Sequence, residues 1–206
     1  MSGGPAQAHW DSVYTTRAEA ERSWTEPDPA VSLEMLEAAG IHPNDAIVDV
    51  GAGASRLIDG LLNRGYSDLT ALDLCRTALE QAAARLGARA AEICWVAADV
   101  MTWRPERQYR LWHDRALFHF FTAAEARRAY CETLERAVMP GGGVILATFA
   151  EDGPERCSGL PVCRYSARAL AQELGCGFSL ADSRRVEHCT PWGSVQPFQY
   201  CRFTRV

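Results

Sequence analysis

The chain has 206 residues, a formal net charge of −5, and is 48% hydrophobic and 23% charged. These values suit one globular domain with room for a small cap and exclude wholesale disorder. The acidic balance argues against a nucleic-acid or anionic-membrane surface. All 21 basic residues are arginine. With no lysine, a P-loop, a Schiff-base enzyme and a Tyr-x-x-x-Lys reductase are excluded.

The eight cysteines include no C-x-x-C pair, which reads as reduced thiols in a cytoplasmic protein. A Cys/His metal site around Cys157, Cys163, His188 and Cys189 is the competing reading, and no metal is expected. The first residues lack a signal-peptide pattern. No apolar run approaches the roughly 18 residues of a membrane span, so no membrane partner is expected.

In chain order, residues 1–8 are small and polar and read as a frayed tail. Residues 9–29, with Trp10, Tyr14 and Trp24, read as an aromatic cap or lid. The domain proper is expected over 30–206. Leu33, Leu36 and Ala39 fall at helical spacing before Gly40. Ala46–Val50 is a short apolar strand, Ser55–Arg64 a helix, Leu69–Leu72 a second strand and Thr77–Leu86 an Ala-rich helix. Glu92–Ala97 and Tyr109–His113 are strands three and four. Ala123–Val138 is a long helix stopped by Pro140-Gly141-Gly142-Gly143, and Val144–Phe149 is strand five. The alternation predicts βαβ units and a mostly parallel sheet with helices on both faces. After a helix at Ala167–Leu174, two strand-like segments, Phe178–Glu187 and Phe198–Thr204, lie too close for a crossover helix. They predict an antiparallel pair at the edge.

The richest motif is Val48-Asp49-Val50-Gly51-Ala52-Gly53-Ala54-Ser55: a strand, Gly-x-Gly, then a helix. Glycines permit a tight turn and close ligand approach, and the helix N-terminus offers free N–H groups. Asp73 follows Gly51 by 22 residues at the end of strand two, where a carboxylate can accept both hydroxyls of a ribose. Asp99 ends strand three and can take an adenine amine. Asp114 ends strand four. Each acid alone also reads as a cap or turn residue; their regular βα spacing favours a shared ligand at the strand ends.

This pattern resembles the class I S-adenosylmethionine (SAM)-dependent methyltransferases, on Asp49–Gly53, Asp73, Ala98-Asp99-Val100, His113-Asp114-Arg115 and Met139–Gly143. The resemblance implies a Rossmann-like seven-stranded sheet and SAM as cofactor, with S-adenosylhomocysteine (SAH) as product. It places Gly51, Ala52 and Gly53 along the methionine part, Asp73 at the ribose, and Asp99 with the Val100 backbone at the adenine; Asp49, Ser55 and Leu74 are further cofactor-binding candidates, as is Asp114, near the reacting methyl. A narrower likeness, to the bacterial branch near citrate synthase lysine methyltransferases, is carried by H-W-D-x-V-Y at 9–14, S-W at 23–24, H-D-R-A-L-F-H-F at 113–120, C-S-G-L-P-V at 157–162 and H-C-T-P-W-G-S-V-Q-P-F at 188–198.

Methyl transfer is an in-line displacement in which alignment and water exclusion do most of the work. A nucleophile must also present a lone pair, so a general base is expected from Asp114, His119 or His188. His119 also reads as an ordinary core histidine and His188 as a turn residue. Tyr14 and Trp24, with Trp10, can close over a sulfonium, which aromatic faces favour. Arg17 can meet the methionine carboxylate. Arg115 can bind an acidic acceptor, and Trp192, Gln196 and Phe198 can face it. The acceptor is expected to be a small molecule or a protein lysine, and the protein a monomer or homodimer. The competing classes are a nicotinamide-dependent oxidoreductase, which Arg56 in place of a third glycine disfavours, and a SAM-binding module without catalysis.

Overall fold

The computed structural model describes residues 4–206. The expected tail therefore lies outside the described residues at 1–3, while Pro5–Ala8 are not frayed. They open helix α1 (Pro5–Thr16), with proline in its first turn, where a missing N–H costs nothing. A 3₁₀ turn, Glu19–Glu21, follows, then α2 (Ala30–Ala38).

Next come β1 (Ile47–Val50), α3 (Leu57–Asn63), β2 (Leu69–Asp73), α4 (Arg76–Leu86), β3 (Ile93–Ala97), β4 (Tyr109–Arg115), α5 (Ala124–Ala137) and β5 (Val138–Phe149). A two-stranded hairpin, β6 (Arg156–Cys157) and β7 (Leu160–Pro161), precedes α6 (Ala167–Leu174). The chain closes with β8 (Phe178–Cys189) and β9 (Val195–Arg205).

The main sheet has seven strands in the order β3-β2-β1-β4-β5-β9-β8. Strands β1 to β5 pair in parallel, and β9 lies antiparallel to both β5 and β8. The strand order reverses between β1 and β2 on one side and β4 on the other. A ligand crevice forms at such a switch point, beyond the carboxyl ends of the strands.

Side chains of successive strand residues leave on opposite faces. Ile47, Leu111, Ile145, Phe198 and Tyr200 pack with Leu33 and Leu36 of α2 and Leu61 of α3. Val48, Trp112, Val144, Leu146 and Phe203 pack on the other face with Tyr130 and Leu134 of α5 and Leu170 of α6. A third, smaller cluster joins Tyr14 to Cys75 and Ala78, with Trp10 and Trp24 against it, and seats the N-terminal segment on α4.

One expectation needs correcting. The Pro140–Gly143 run does not form a stop between α5 and a later strand; β5 starts at Val138 and carries it. A Cβ on Gly142 would come within 2.7 Å of the Met139 carbonyl oxygen, and one on Gly143 within 2.9 Å of Leu111 Cδ1. The glycines serve close packing there, not termination. The β6–β7 hairpin is also new, being too short to leave a periodic signal.

Candidate cofactor and acceptor site

A cavity of about 400 Å³ opens at the carboxyl ends of β1, β2, β3 and β4, under α1 and the segment leading to α2. Its floor begins at the glycine turn. Gly51 and Gly53 have φ of +68° and +52°, the left-handed region that side chains disfavour. The turn is pulled toward β2: Gly53 N donates to Asp73 Oδ2 at 2.8 Å, and Cys75 N donates to Asp73 Oδ1 at 2.7 Å. Burial pushes the Asp73 carboxyl up to about 6, against those two N–H groups, which pull it down. Asp49, Gly51, Ala52, Ser55, Asp73, Leu74, Asp99 and Val100 all line this one cavity. Asp99 Oδ1 accepts the Met101 N–H at 2.9 Å.

The roof is aromatic. Trp24 meets Trp10 and Tyr14 edge-on at 5.7 and 6.3 Å between ring centroids, and Trp10 meets Phe120 at 5.2 Å. The Tyr14 hydroxyl lies so close over Gly53 that a Cβ there would be 2.3 Å away. Gly53 is thus covered by Tyr14 rather than lining the cavity. Burial, then Asp73, raises the Tyr14 pKa, so its hydroxyl keeps its proton.

Several expected residues lie elsewhere. Arg17 is exposed and offers only its carbonyl. Arg22 instead lines the cavity, with its guanidinium 4.4 Å from the Tyr14 ring centre. Arg22 Nη2 donates to the Arg17 carbonyl at 2.8 Å and to Gln81 Oε1 at 2.9 Å.

Asp114 does not reach the cavity. It faces α5, fully buried, and accepts from Tyr130 Oη at 2.6 Å and from the N–H groups of Leu117 and Phe118 at 3.0 and 3.1 Å. Burial pushes its carboxyl up to about 6, and these donors oppose the shift. It caps the turn after β4 and holds α5 to the sheet.

His119 is also buried, between Phe120 and Phe149, and burial lowers its pKa to about 3. It is a neutral core residue. His188 packs on Phe198, and its Nε2 lies 2.7 Å from the Ser23 carbonyl oxygen, tying β8 to the cap. Phe198 is buried under the Arg115 guanidinium, 4.7 Å from its ring centre. Trp192, 57% exposed, and Gln196 stand outside the cavity.

Ser32 and His113, given no role by the sequence alone, complete the site with Asp49 and Arg115. Parallel register sets Asp49 of β1 beside His113 of β4. Asp49 Oδ1 lies 2.7 Å from His113 Nδ1, and His113 Nε2 lies 2.9 Å from Ser32 Oγ of α2. A carboxylate only accepts, so Nδ1 of His113 donates to Asp49 and Nε2 is turned to the serine hydroxyl. All three residues line the cavity. Beside them Arg115 Nε donates to Tyr200 Oη at 2.8 Å and pairs with Glu26 at 3.3 Å, while its Nη1 donates to the Trp24 carbonyl at 2.9 Å. Cys157, Leu160 and Pro161 of the small hairpin close the wall. Burial pushes the Cys157 thiol up to about 12, so it stays protonated. Among the described residues no three His, Cys, Asp or Glu side chains are grouped to hold a metal, including those near Cys157 and His188.

Residues 47–142 match the family model of the methyltransferase domain. No curated protein matches the chain. A structure described for the conversion of a disulfide bond into a thioacetal group during echinomycin biosynthesis superposes with a TM-score of 0.77 at 24% identity, over 97% of this chain and 93% of its own. The Burkholderia thailandensis 1,6-didemethyltoxoflavin-N1-methyltransferase, with 1,6-didemethyltoxoflavin and SAH bound, gives 0.70 at 20% identity over 100% and 92%. The N-methyltransferase NodS of Bradyrhizobium japonicum, complexed with SAH, gives 0.70 at 11% over 98% and 99%. The likeness is one of fold. The matched domain and the acid-flanked glycine turn together define the class: an enzyme of SAM-dependent methyl transfer. Its cofactor is SAM.

Proposed function

We propose that the enzyme methylates a small molecule held beneath a closed aromatic cap, and that the cavity holds both cofactor and acceptor. The cofactor supplies a methyl group on a positively charged sulfur that is a good leaving group. In this reading Gly51 and Ala52 of the glycine turn carry the methionine part, with Arg22 at its carboxylate. Asp73 accepts from the ribose hydroxyls, and Asp99 with the Val100 backbone takes the adenine. The residues fit such a ligand: the outer lone pairs of Asp73 and Asp99 stay free, and the walls between them are apolar.

The observation that carries the choice of a small acceptor is the roof. Trp10, Tyr14 and Trp24 pack on one another and on Phe120, and the Cys157–Pro161 hairpin closes the far side. A volume of about 400 Å³ sits low in the range of small-molecule sites. A protein lysine needs an open channel instead. We place the chain near the citrate synthase lysine methyltransferase-like branch by its motifs, but not with that branch's acceptor. We also read residues 1–29 as the cap and 30–206 as the catalytic domain. A cytoplasmic setting is supported by eight free cysteines; no described helix is long and apolar enough to cross a membrane.

Calorimetry with SAH and with NADH tests the cofactor assignment: heat with SAH alone is expected, and heat with NADH alone overturns it. Labelled SAM offered with small nucleophiles and, separately, with lysine-containing peptides tests the acceptor class. Label on peptides alone overturns the small-molecule reading.

A further inference from the structure

We infer that Ser32, His113 and Asp49 form a proton-accepting relay for the methyl acceptor, which makes the acceptor a nucleophile carrying a proton on nitrogen or oxygen. This rests on the proposed methyl transfer to a small molecule and adds the chemistry of the acceptor.

The argument starts from what lines the cavity. The chain has five histidines, and His113 alone among them borders the site. Its neighbours come from separate elements: Asp49 from β1, Ser32 from α2, Tyr200 from β9 and Arg115 two residues along its own strand. Asp49 fixes the tautomer through Nδ1, leaving Nε2 to receive a proton. The Ser32 hydroxyl donates to that nitrogen, so its oxygen keeps lone pairs for a further donor. Tyr200 adjoins Ser32 and is held by Arg115. Arg115 is balanced by Glu26, which leaves Asp49 as the carboxylate that stabilises a charge on His113. Asp114 interacts with His113 from the opposite sheet face but is committed to Tyr130 and the following turn.

Stapling α2 to the sheet needs one hydrogen bond between two buried polar groups. It does not need an acid placed behind the imidazole, nor all three groups on the cavity wall. That arrangement suits proton transfer, in which a carboxylate orients the imidazole and stabilises its charged form. During transfer the nucleophile's lone pair forms the bond to the methyl carbon, and the carbon–sulfur bond breaks with its electrons leaving on sulfur. The nucleophile's proton passes to Ser32 Oγ as the serine proton passes to His113 Nε2. The products are the methylated acceptor, a neutral thioether, and an imidazolium paired with Asp49.

The test needs no turnover. The full chain is saturated with SAH, and 4-nitrophenol is titrated in as a proton-bearing probe whose ionised form absorbs in the visible. A relay that takes the phenolic proton lowers the bound probe's apparent pKa by about one unit, a tenfold gain in the ratio of ionised to neutral probe at fixed pH. His113→Gln, which keeps a hydrogen-bonding side chain, and the smaller change Ser32→Ala are each expected to abolish that shift. Neither should move SAH affinity by more than about threefold, which is under ~0.7 kcal/mol. Arg115 is intact in both variants, so loss of the shift separates the relay from simple attraction by the guanidinium. A bound probe that ionises as in free solution, a probe that does not enter the SAH complex, or a shift that survives both substitutions overturns the relay. Failure of wild-type protein to bind SAH overturns the methyl-transfer reading instead.

Discussion

Adding one methyl group at Gly53 probes the contact that joins α1 to the glycine turn. At φ of +52° an alanine is strained, at a cost of about 1–2 kcal/mol. Its Cβ would also stand 2.3 Å from Tyr14 Oη and 3.3 Å from Tyr14 Cζ, and such overpacking costs about 1–3 kcal/mol. Gly53→Ala is therefore expected to destabilise the protein by roughly 2–5 kcal/mol. Removing the offending oxygen by Tyr14→Phe should return the steric part, leaving about 1–2 kcal/mol from the backbone. The double-mutant cycle thus carries a coupling of about 1–3 kcal/mol. Urea unfolding followed by tryptophan fluorescence measures it, since Trp10 and Trp24 border Tyr14. If Tyr14 swings outward to make room, the cap opens and the same coupling appears in SAH affinity measured by calorimetry. A Gly53→Ala effect of equal size in both backgrounds, in stability and in affinity alike, refutes the contact.

Three further outcomes follow from the site. Burial raises the Asp73 pKa from 3.8 to about 6, so its contribution to stability is full below its unfolded value and is lost as pH rises through about 6. If Asp73 holds the ribose as proposed, binding favours its ionised form, so SAH affinity should fall as pH drops through that same value; calorimetry showing flat affinity from about pH 5 to 8 contradicts this. Asp114→Ala strands the Tyr130 hydroxyl and two backbone N–H groups and should cost about 3 kcal/mol in denaturant unfolding. SAH affinity should stay within a few-fold of wild type, and a large loss of affinity with unchanged stability would restore Asp114 to the binding site. Arg22→Met should weaken SAH binding by about tenfold or more, the size of a lost charged hydrogen bond, whereas Arg17→Met should leave it unchanged. Equal effects of the two would show that Arg22 has no special place at the cofactor.

The general plan was legible because it is written locally. Short apolar runs alternating with helical periodicity imply parallel βαβ units, and the observed strands β1 to β3 begin and end within a residue or so of expectation. Gly51 and Gly53 also announce themselves, since only a turn or a close contact makes such residues useful there. Arg22 gave no such signal: it lies in a segment without regular period, and its placement depends on Tyr14 and Gln81, the latter 59 residues away.

The exchange of Asp114 for His113 shows most clearly where sequence stops. The two are neighbours on β4, so their side chains leave on opposite faces, and both faces of that strand are buried. Alternation reveals the face when one side meets water; a strand covered twice has no such asymmetry. By itself the sequence determined the sheet, the glycine turn and the acids at the strand ends, because propensity and periodicity act over a few residues. Which face of β4 meets the cavity, and so which residue stands beside Asp49 and Ser32, was decided only when α2, β1 and β4 packed together, because that choice depends on contacts between segments far apart in the chain.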